Sequence, residues 1–327
     1  MTASYPAGIA QRDRFVLDRR GPRPDHDPLR HQGWIIDEEP DATGQLARVA
    51  TIFLTGRECP WRCVMCDLWR HTIPGDTPPG ALAAQVRQAL LEMRSAPGGV
   101  PAHVKLYNAG SFFDPRAVPE SDCEDLADAL SGISRVIVES HPSLVGPRVD
   151  RWQRALRTTA LEVAMGLETA HPDALARLHK RMTVDDFTRA AAALAERGIR
   201  LRVFLLVHPP FIPTAEQDAW LERSVDVAFA CGASAVSLIP TRTGNGALEA
   251  LAGEGLFAEP RLAHLERACI LALTRARGYV FADAWDLDRF SDCEACAQAR
   301  RARLVQMNHS QQLAPPVACG DCGGSAH

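Results

Sequence analysis

Short runs of apolar, often β-branched residues alternate along the chain with longer stretches in which apolar positions recur at helical spacing. Val49–Leu54, Val104–Tyr107, Arg135–Glu139, Leu161–Gly166, Leu201–Val207 and Ala235–Ile239 read as strands. Ala81–Arg94, Cys123–Leu130, Leu144–Leu156, Val184–Arg197, Glu216–Ala230 and Arg261–Arg277 read as amphipathic helices. β-then-α units in strict succession need crossover connections, hence parallel strands with helices outside. Right-handed crossovers curl such a sheet toward a barrel, and six units are too few to close one. The expected fold is therefore α/β, a partial (β/α)6 TIM-type barrel with a small C-terminal metal-binding segment; a doubly wound sheet is the alternative. Residues 1–48, rich in Arg, Asp and Pro, show no sustained apolar period and read as an extension packed on the core. Residues 49–285 make the barrel and 286–327 the metal-binding segment. No repeat of fixed period is visible.

Composition narrows the class. The chain has 327 residues, 46% of them hydrophobic, and 36 basic against 40 acidic residues give a net charge of −4. A generally basic nucleic-acid coat and a disordered tail protein are excluded. No apolar run reaches the ~18 residues of a membrane span. The N-terminal stretch is interrupted by Arg12, Asp13 and Arg14, unlike a signal peptide, so a cytoplasmic protein with no membrane partner is expected. The 10 cysteines are too sparse for a disulfide scaffold of this length, and their clustering reads as metal binding in a reducing compartment. Cys123, Cys231 and Cys269 fall on helical stretches and read as apolar filler.

In either architecture the chemistry belongs at the carboxyl ends of the strands. The first strand runs into Cys59-Pro60-Trp61-Arg62-Cys63-Val64-Met65-Cys66, a C-x3-C-x2-C spacing in which Gly56 and Pro60 favour a wrapped loop over a helix. Three converging thiolates suit a Cys3His zinc site completed by His71, or a 4Fe-4S cluster whose fourth iron stays open to a small molecule. The second strand ends in Asn108-Ala109-Gly110-Ser111, small and polar enough to admit a ligand's ammonium, with Ser111 or Asp114 as a helix cap in the plainer reading. Glu139, at the end of the third strand, is a carboxylate in need of a partner. The fourth ends Gly166-Leu167-Glu168-Thr169, where a carboxylate can accept from vicinal hydroxyls. His179-Lys180-Arg181-Met182-Thr183 then offers a cation, or a solvated turn capped by Thr183. His208-Pro209-Pro210-Phe211 and the loop holding Arg242 and Asn245 would line the mouth.

Near the C-terminus, Cys293-x-x-Cys296 and Cys319-x-x-Cys322 are two knuckles at the spacing of a four-thiolate site, zinc or an auxiliary 4Fe-4S cluster. Gly320, Gly323 and Gly324 suit ribbon-like turns there. Arg300, Arg301 and Arg303 between the knuckles are either a solvated face or phosphate contacts.

The cysteine loop after the first strand, together with GLET, resembles the radical S-adenosylmethionine (radical SAM) superfamily. CPWRCVMCDLW, NAGSFFDP, HKRMT and the late cysteine pairs are similar to the archaeosine-biosynthesis members and their bacterial relatives. The resemblance implies a 4Fe-4S cluster on Cys59, Cys63 and Cys66, with S-adenosylmethionine (SAM) on its open iron. It implies reductive cleavage to a 5′-deoxyadenosyl radical, fed by a reductant such as ferredoxin or flavodoxin. Met65 would stand near the adenine, Asn108, Gly110 and Ser111 near the SAM amino group, Glu139 and Glu168 near hydroxyls including those of the ribose, and Lys180 or Arg181 near its carboxylate, with Gly166 in the GLET turn. The archaeosine-type members act on a lysine-bearing deazaguanine in transfer RNA, which implies a tRNA or modified-nucleoside substrate. The sequence departs from the superfamily in lacking an acidic residue in its Gly-Gly-Glu segment, and His141 replaces an expected arginine. The alternative is a zinc- or cluster-bearing RNA-binding accessory protein without turnover.

Overall fold

The computed structural model describes residues 5–322. One sheet carries the molecule, its strands lying side by side in chain order: β1 (Gly33–Pro40), β2 (Leu46–Leu54), β3 (His103–Asn108), β4 (Arg135–Glu139), β5 (Ala160–Glu168), β6 (Arg200–Val207), β7 (Ala233–Pro240) and β8 (Tyr279–Ala282). From β2 onward every pairing is parallel, while β1 runs antiparallel to β2. The helices are α1 (Ile9–Leu17), α2 (Ala81–Ser95), α3 (Cys123–Ala129), α4 (Pro147–Ala155), α5 (Pro172–Arg177), α6 (Val184–Glu196), α7 (Gln217–Ala230), α8 (Ala247–Gly253), α9 (Leu262–Arg275) and α10 (Glu294–Ser310). This is the expected partial barrel, with all six anticipated strands in place.

Two strands join the sheet beyond the six expected. β1 is half-exposed, acidic in its second half and ends in proline, with only Trp34 and Ile36 packing on the core, a pattern too short to read as a strand. It is a strand because β2 offers an unpaired edge. β8 is only four residues long and packs as a strand because α10 covers it. The helix expected from Leu144 starts instead at Pro147, since Pro142–Leu144 form a 3-10 turn and proline favours the first helical position. At α6 the Thr183 cap holds: its hydroxyl accepts from the Asp186 amide at 3.1 Å, and the Asp186 carboxylate accepts from the Thr183 amide at 2.8 Å.

Alternation along the strands separates two interiors. Ile52, Leu106, Val138, Met165, Val203 and Leu238 are among the strand residues that pack outward under the helices as the main apolar core. The opposite positions face the lumen of the curved sheet, and only a thin layer there is apolar, formed by Val49, Ile137, Ala164 and Phe204. Toward the N-terminal ends of the strands the lumen is filled by charge. Arg202 donates to both oxygens of Glu39, at 3.1 and 2.7 Å, and to Glu162 at 3.1 Å; Lys105 reaches Glu39 at 2.5 Å and Arg135 reaches Glu162 at 3.1 Å. These contacts tie β1, β3, β4, β5 and β6 together across the barrel floor.

The open side between β1 and β8 is spanned by α10. The side-chain amide of Gln311, just past its end, exchanges two hydrogen bonds with the backbone of Val280 (2.8 and 2.9 Å), and that of Asn308 exchanges two with Ala282 (both 2.8 Å). Two amides thus stand in for a missing neighbour strand and blunt the edge. Tyr279 Oη donates to the Asp41 carbonyl at 2.5 Å, joining the two rims.

Removing one partner of a buried charge pair leaves the others uncompensated. Arg202→Met is therefore expected to cost about 3–5 kcal/mol in urea unfolding, whereas Arg277→Met, an exposed arginine, changes it little.

Candidate functional site

The loop after β2 carries the three cysteines over the C-terminal mouth of the lumen. Its centre is pinned at Val64, a buried residue whose amide donates to the Leu178 carbonyl at 3.0 Å and whose carbonyl accepts from Asn245 Nδ2 at 2.7 Å. Asn245 also caps α8, its Oδ1 accepting from the Ala247 and Leu248 amides. It therefore anchors the cysteine loop and does not line a substrate mouth as expected. Trp61 stacks on His141 with ring centroids 3.7 Å apart and planes 10° off parallel. Burial, reinforced by the Lys180 charge, lowers the His141 pKa to about 3, so the ring is neutral; Nε2 donates to the Lys180 carbonyl at 2.9 Å.

The N-terminal segment supplies the other clamp. Glu58, inside the loop, accepts from Arg20 at 2.7 Å and Arg23 at 2.5 Å. Asp13 on α1 takes Arg181 at 2.5 Å and His179 at 2.9 Å. Arg181 is thus occupied by α1. These partners were invisible as a motif, because nothing in the sequence pairs residues 13–23 with residues 58 and 181.

Under the loop, the GLET turn makes the centre of the site. The β5 ladder slips between Gly166 and Glu168, and Glu168 takes a left-handed φ of 66°, which turns its carboxylate toward Lys180. Lys180 Nζ donates to Glu168 Oε1 at 2.5 Å and to the Gly166 carbonyl at 2.6 Å. A Cβ on Gly166 would overlap both charged groups, so the pair requires glycine there. Burial opposes the Lys180 charge, but Glu168 and nearby Cys63 outweigh it and raise its pKa above the usual lysine value.

Gly110 is likewise required, since a Cβ would meet the Arg57 carbonyl at 2.8 Å. Ser111 is buried and knits the β3 and β4 exits together, accepting from the His141 amide at 2.8 Å. Asn108 is 3% exposed and its Oδ1 has no hydrogen-bond partner, an acceptor awaiting a donor. Glu139 points into the same mouth. Burial pushes its pKa from the ordinary 4.5 to about 8, with Lys180 pulling it down and Glu168 pushing it up. Met65 is partly buried against the apolar cluster around Val64 and Phe15.

Cys59, Cys63 and Cys66 lie close enough to influence one another electrostatically, and burial is the main cause raising each thiol to about 12. They stay protonated until a metal displaces the proton. Among the described residues, the one group of three or more metal-ligating side chains whose ligand atoms all lie within 4.8 Å is Cys293, Cys296, Cys319 and Cys322. The loop thiols do not all meet at that distance, and His71 is exposed and does not join them. Wider spacing fits a cube with an iron beneath each thiolate, and the unpartnered Asn108 Oδ1 leaves an acceptor at the same mouth.

Arg242 is paired with Asp283 and donates to the Trp285 carbonyl at 3.3 Å. Arg300 and Arg303 both bind Glu266, a fully buried carboxylate on α9, and Arg303 also donates to the Ala314 carbonyl. They are neither a solvated face nor free for phosphate; Arg301 alone of the three is exposed. His208, with its rings stacked on His264 at 4.0 Å, lies apart in a small pocket beside α7.

The fold is that of radical SAM enzymes. Among solved structures it is similar to Elp3 from Methanocaldococcus infernus (TM-score 0.52, 14% identity, 67% of this chain and 57% of that one) and to methylornithine synthase (TM-score 0.50, 11% identity, 78% and 68%). In sequence it is similar to archaeosine synthase subunit beta of Methanosarcina acetivorans, 28% identical over 230 residues, which is 67% of this chain and 65% of that protein. No family model matches the sequence. No helix among the described residues is long and apolar enough to cross a membrane.

The Glu139 carboxyl has a pH signature. Folding raises its pKa, so between about pH 4.5 and pH 8 the folded chain holds a proton that the unfolded chain has lost, and stability falls as pH rises through that window. In the metal-free protein Glu139→Gln should flatten this decline in urea titrations; an unchanged pH slope removes Glu139 as its source.

Proposed function

We propose that the chain is a radical SAM enzyme that binds a 4Fe-4S cluster through Cys59, Cys63 and Cys66 and acts on a nucleobase, of the deazaguanine type, free or in tRNA. The observation that carries the reading is the convergence of three loop thiols with the Lys180–Glu168 pair and the unpartnered Asn108 at one mouth of a partial barrel. When bound, the cluster supplies the electron that cleaves SAM to a 5′-deoxyadenosyl radical, the reductant being a ferredoxin or flavodoxin.

The chain's own residues hold and orient. Asn108 Oδ1 and Glu139 accept from the SAM ammonium and hydroxyls, Glu168 accepts from the ribose, and Lys180 keeps the Glu168 carboxylate in place. Met65 borders the adenine. Gly166 and Gly110 let backbone approach the ligand without a side chain between. The Trp61–His141 stack and the Glu58–Arg20 pair hold the loop over the mouth and limit water. The similarity to archaeosine synthase subunit beta supports a nucleobase substrate, and the net charge of −4 means that any tRNA contact is local.

Electron paramagnetic resonance of the anaerobically reconstituted, dithionite-reduced protein tests this reading. A reduced-cluster signal that shifts on adding SAM is expected. Cys63→Ala should abolish it, and Glu168→Ala should weaken SAM binding by about 1–3 kcal/mol in calorimetry. A fully loaded sample with no SAM-sensitive signal overturns the enzyme reading and favours a metal-bearing accessory protein.

A further inference from the structure

We propose that Cys293, Cys296, Cys319 and Cys322 hold a single tetrahedral zinc ion, and that this ion braces α10 across the open side of the barrel. The distances separate one ion from a cluster. Cys293 Sγ lies 3.9 Å from Cys319 Sγ, Cys296 Sγ lies 3.9 Å from Cys322 Sγ, and all four sulfurs fall within 4.8 Å of one another. A zinc ion with sulfurs at about 2.3 Å has tetrahedron edges of about 3.8 Å. A disulfide needs sulfurs at about 2.05 Å, and all ten cysteines are free. A 4Fe-4S cube, with an iron under each thiolate, needs the sulfurs further apart than one shared ion does. The same chain provides the contrast, because its loop thiols do not meet at single-ion distance.

The site is closed. Four sulfurs complete the tetrahedron and leave no position for water or substrate, the arrangement of a structural ion. Cys293 caps α10 and Cys296 sits in its first turn, while Cys319 and Cys322 come from the following turn, so the ion fastens the start of the helix to the chain beyond its end. Gly320 has neither a left-handed φ nor a neighbour crowding a Cβ, so the second knuckle does not require it; Gly323 and Gly324 lie outside the described residues.

The consequence lies along α10, away from the ion. Arg300 and Arg303 lock the helix onto Glu266, and Asn308 and Gln311 cover the outer edge of β8. A helix fixed at its start by metal and at its middle by ion pairs presents both amides in register with Val280 and Ala282. Loss of the ion frees the start and with it the edge of the sheet.

The test uses the full chain with Cys59, Cys63 and Cys66 all changed to alanine, which removes the loop site and makes the outcome independent of the SAM reading. One zinc and no iron per chain by elemental analysis, with four sulfurs at about 2.3 Å in zinc X-ray absorption, is expected. Iron with inorganic sulfide in that variant, or no bound metal, overturns the assignment. In the same background, Cys319→Ser, or stripping zinc with a chelator, should speed hydrogen exchange at the Val280 and Ala282 amides about tenfold or more. Unchanged exchange in the stripped protein overturns the bracing role.

Discussion

A sheet of eight strands that curls without closing must fill its own lumen, and here charge fills it. The Arg202 guanidinium is shared between Glu39 and Glu162, and those carboxylates collect Lys105 and Arg135, so five strands meet at one buried network. Each partner is needed because any one left alone would be an uncompensated buried charge. The network reaches β1 through Glu39, which with Trp34 and Ile36 packing on the core holds this edge strand in the fold. With the floor plugged, the thin apolar layer of Val49, Ile137, Ala164 and Phe204 separates it from the mouth, where Asn108 Oδ1 is left without a partner.

The mouth is assembled from distant segments. α1 and the chain after it clamp the cysteine loop through Glu58 and the turn after α5 through Asp13; Asn245 and Leu178 pin Val64 from the two sides. Lys180 sits at the junction, its backbone carbonyl taken by His141 and its ammonium by Glu168. A shift in any of these anchors moves the thiols relative to the carboxylate. α10 serves the sheet edge in the way α1 serves the loop, through the Asn308 and Gln311 amides and the ion pairs to Glu266.

Much of this was legible in residue order. Parallel strands buried on both faces read as apolar runs, so all six expected strands appear. The thiol spacing, the small residues after β3 and the glycine of GLET are local signals, since a cluster loop and a close backbone approach are built within a few residues. β1 and β8 were not legible, because a short strand at an edge is stabilised by its neighbour and not by its own pattern. Arg300, Arg303 and Asn245 read as free surface or ligand contacts, and each is held by a partner far along the chain.

The sequence by itself determined the parallel architecture, the three-cysteine loop and the two late knuckles, because periodicity and spacing are properties of neighbouring residues. Only the tertiary structure decided which charges are spent on the fold. Asp13, Glu39, Glu58 and Glu266 find these arginines across 34 to 168 positions, and that pairing follows from how the curled sheet and its flanking helices bring distant segments together. It also decided that Asn108 Oδ1, at the mouth, is left among the buried polar atoms without a partner, since a buried acceptor is costly until a donor arrives.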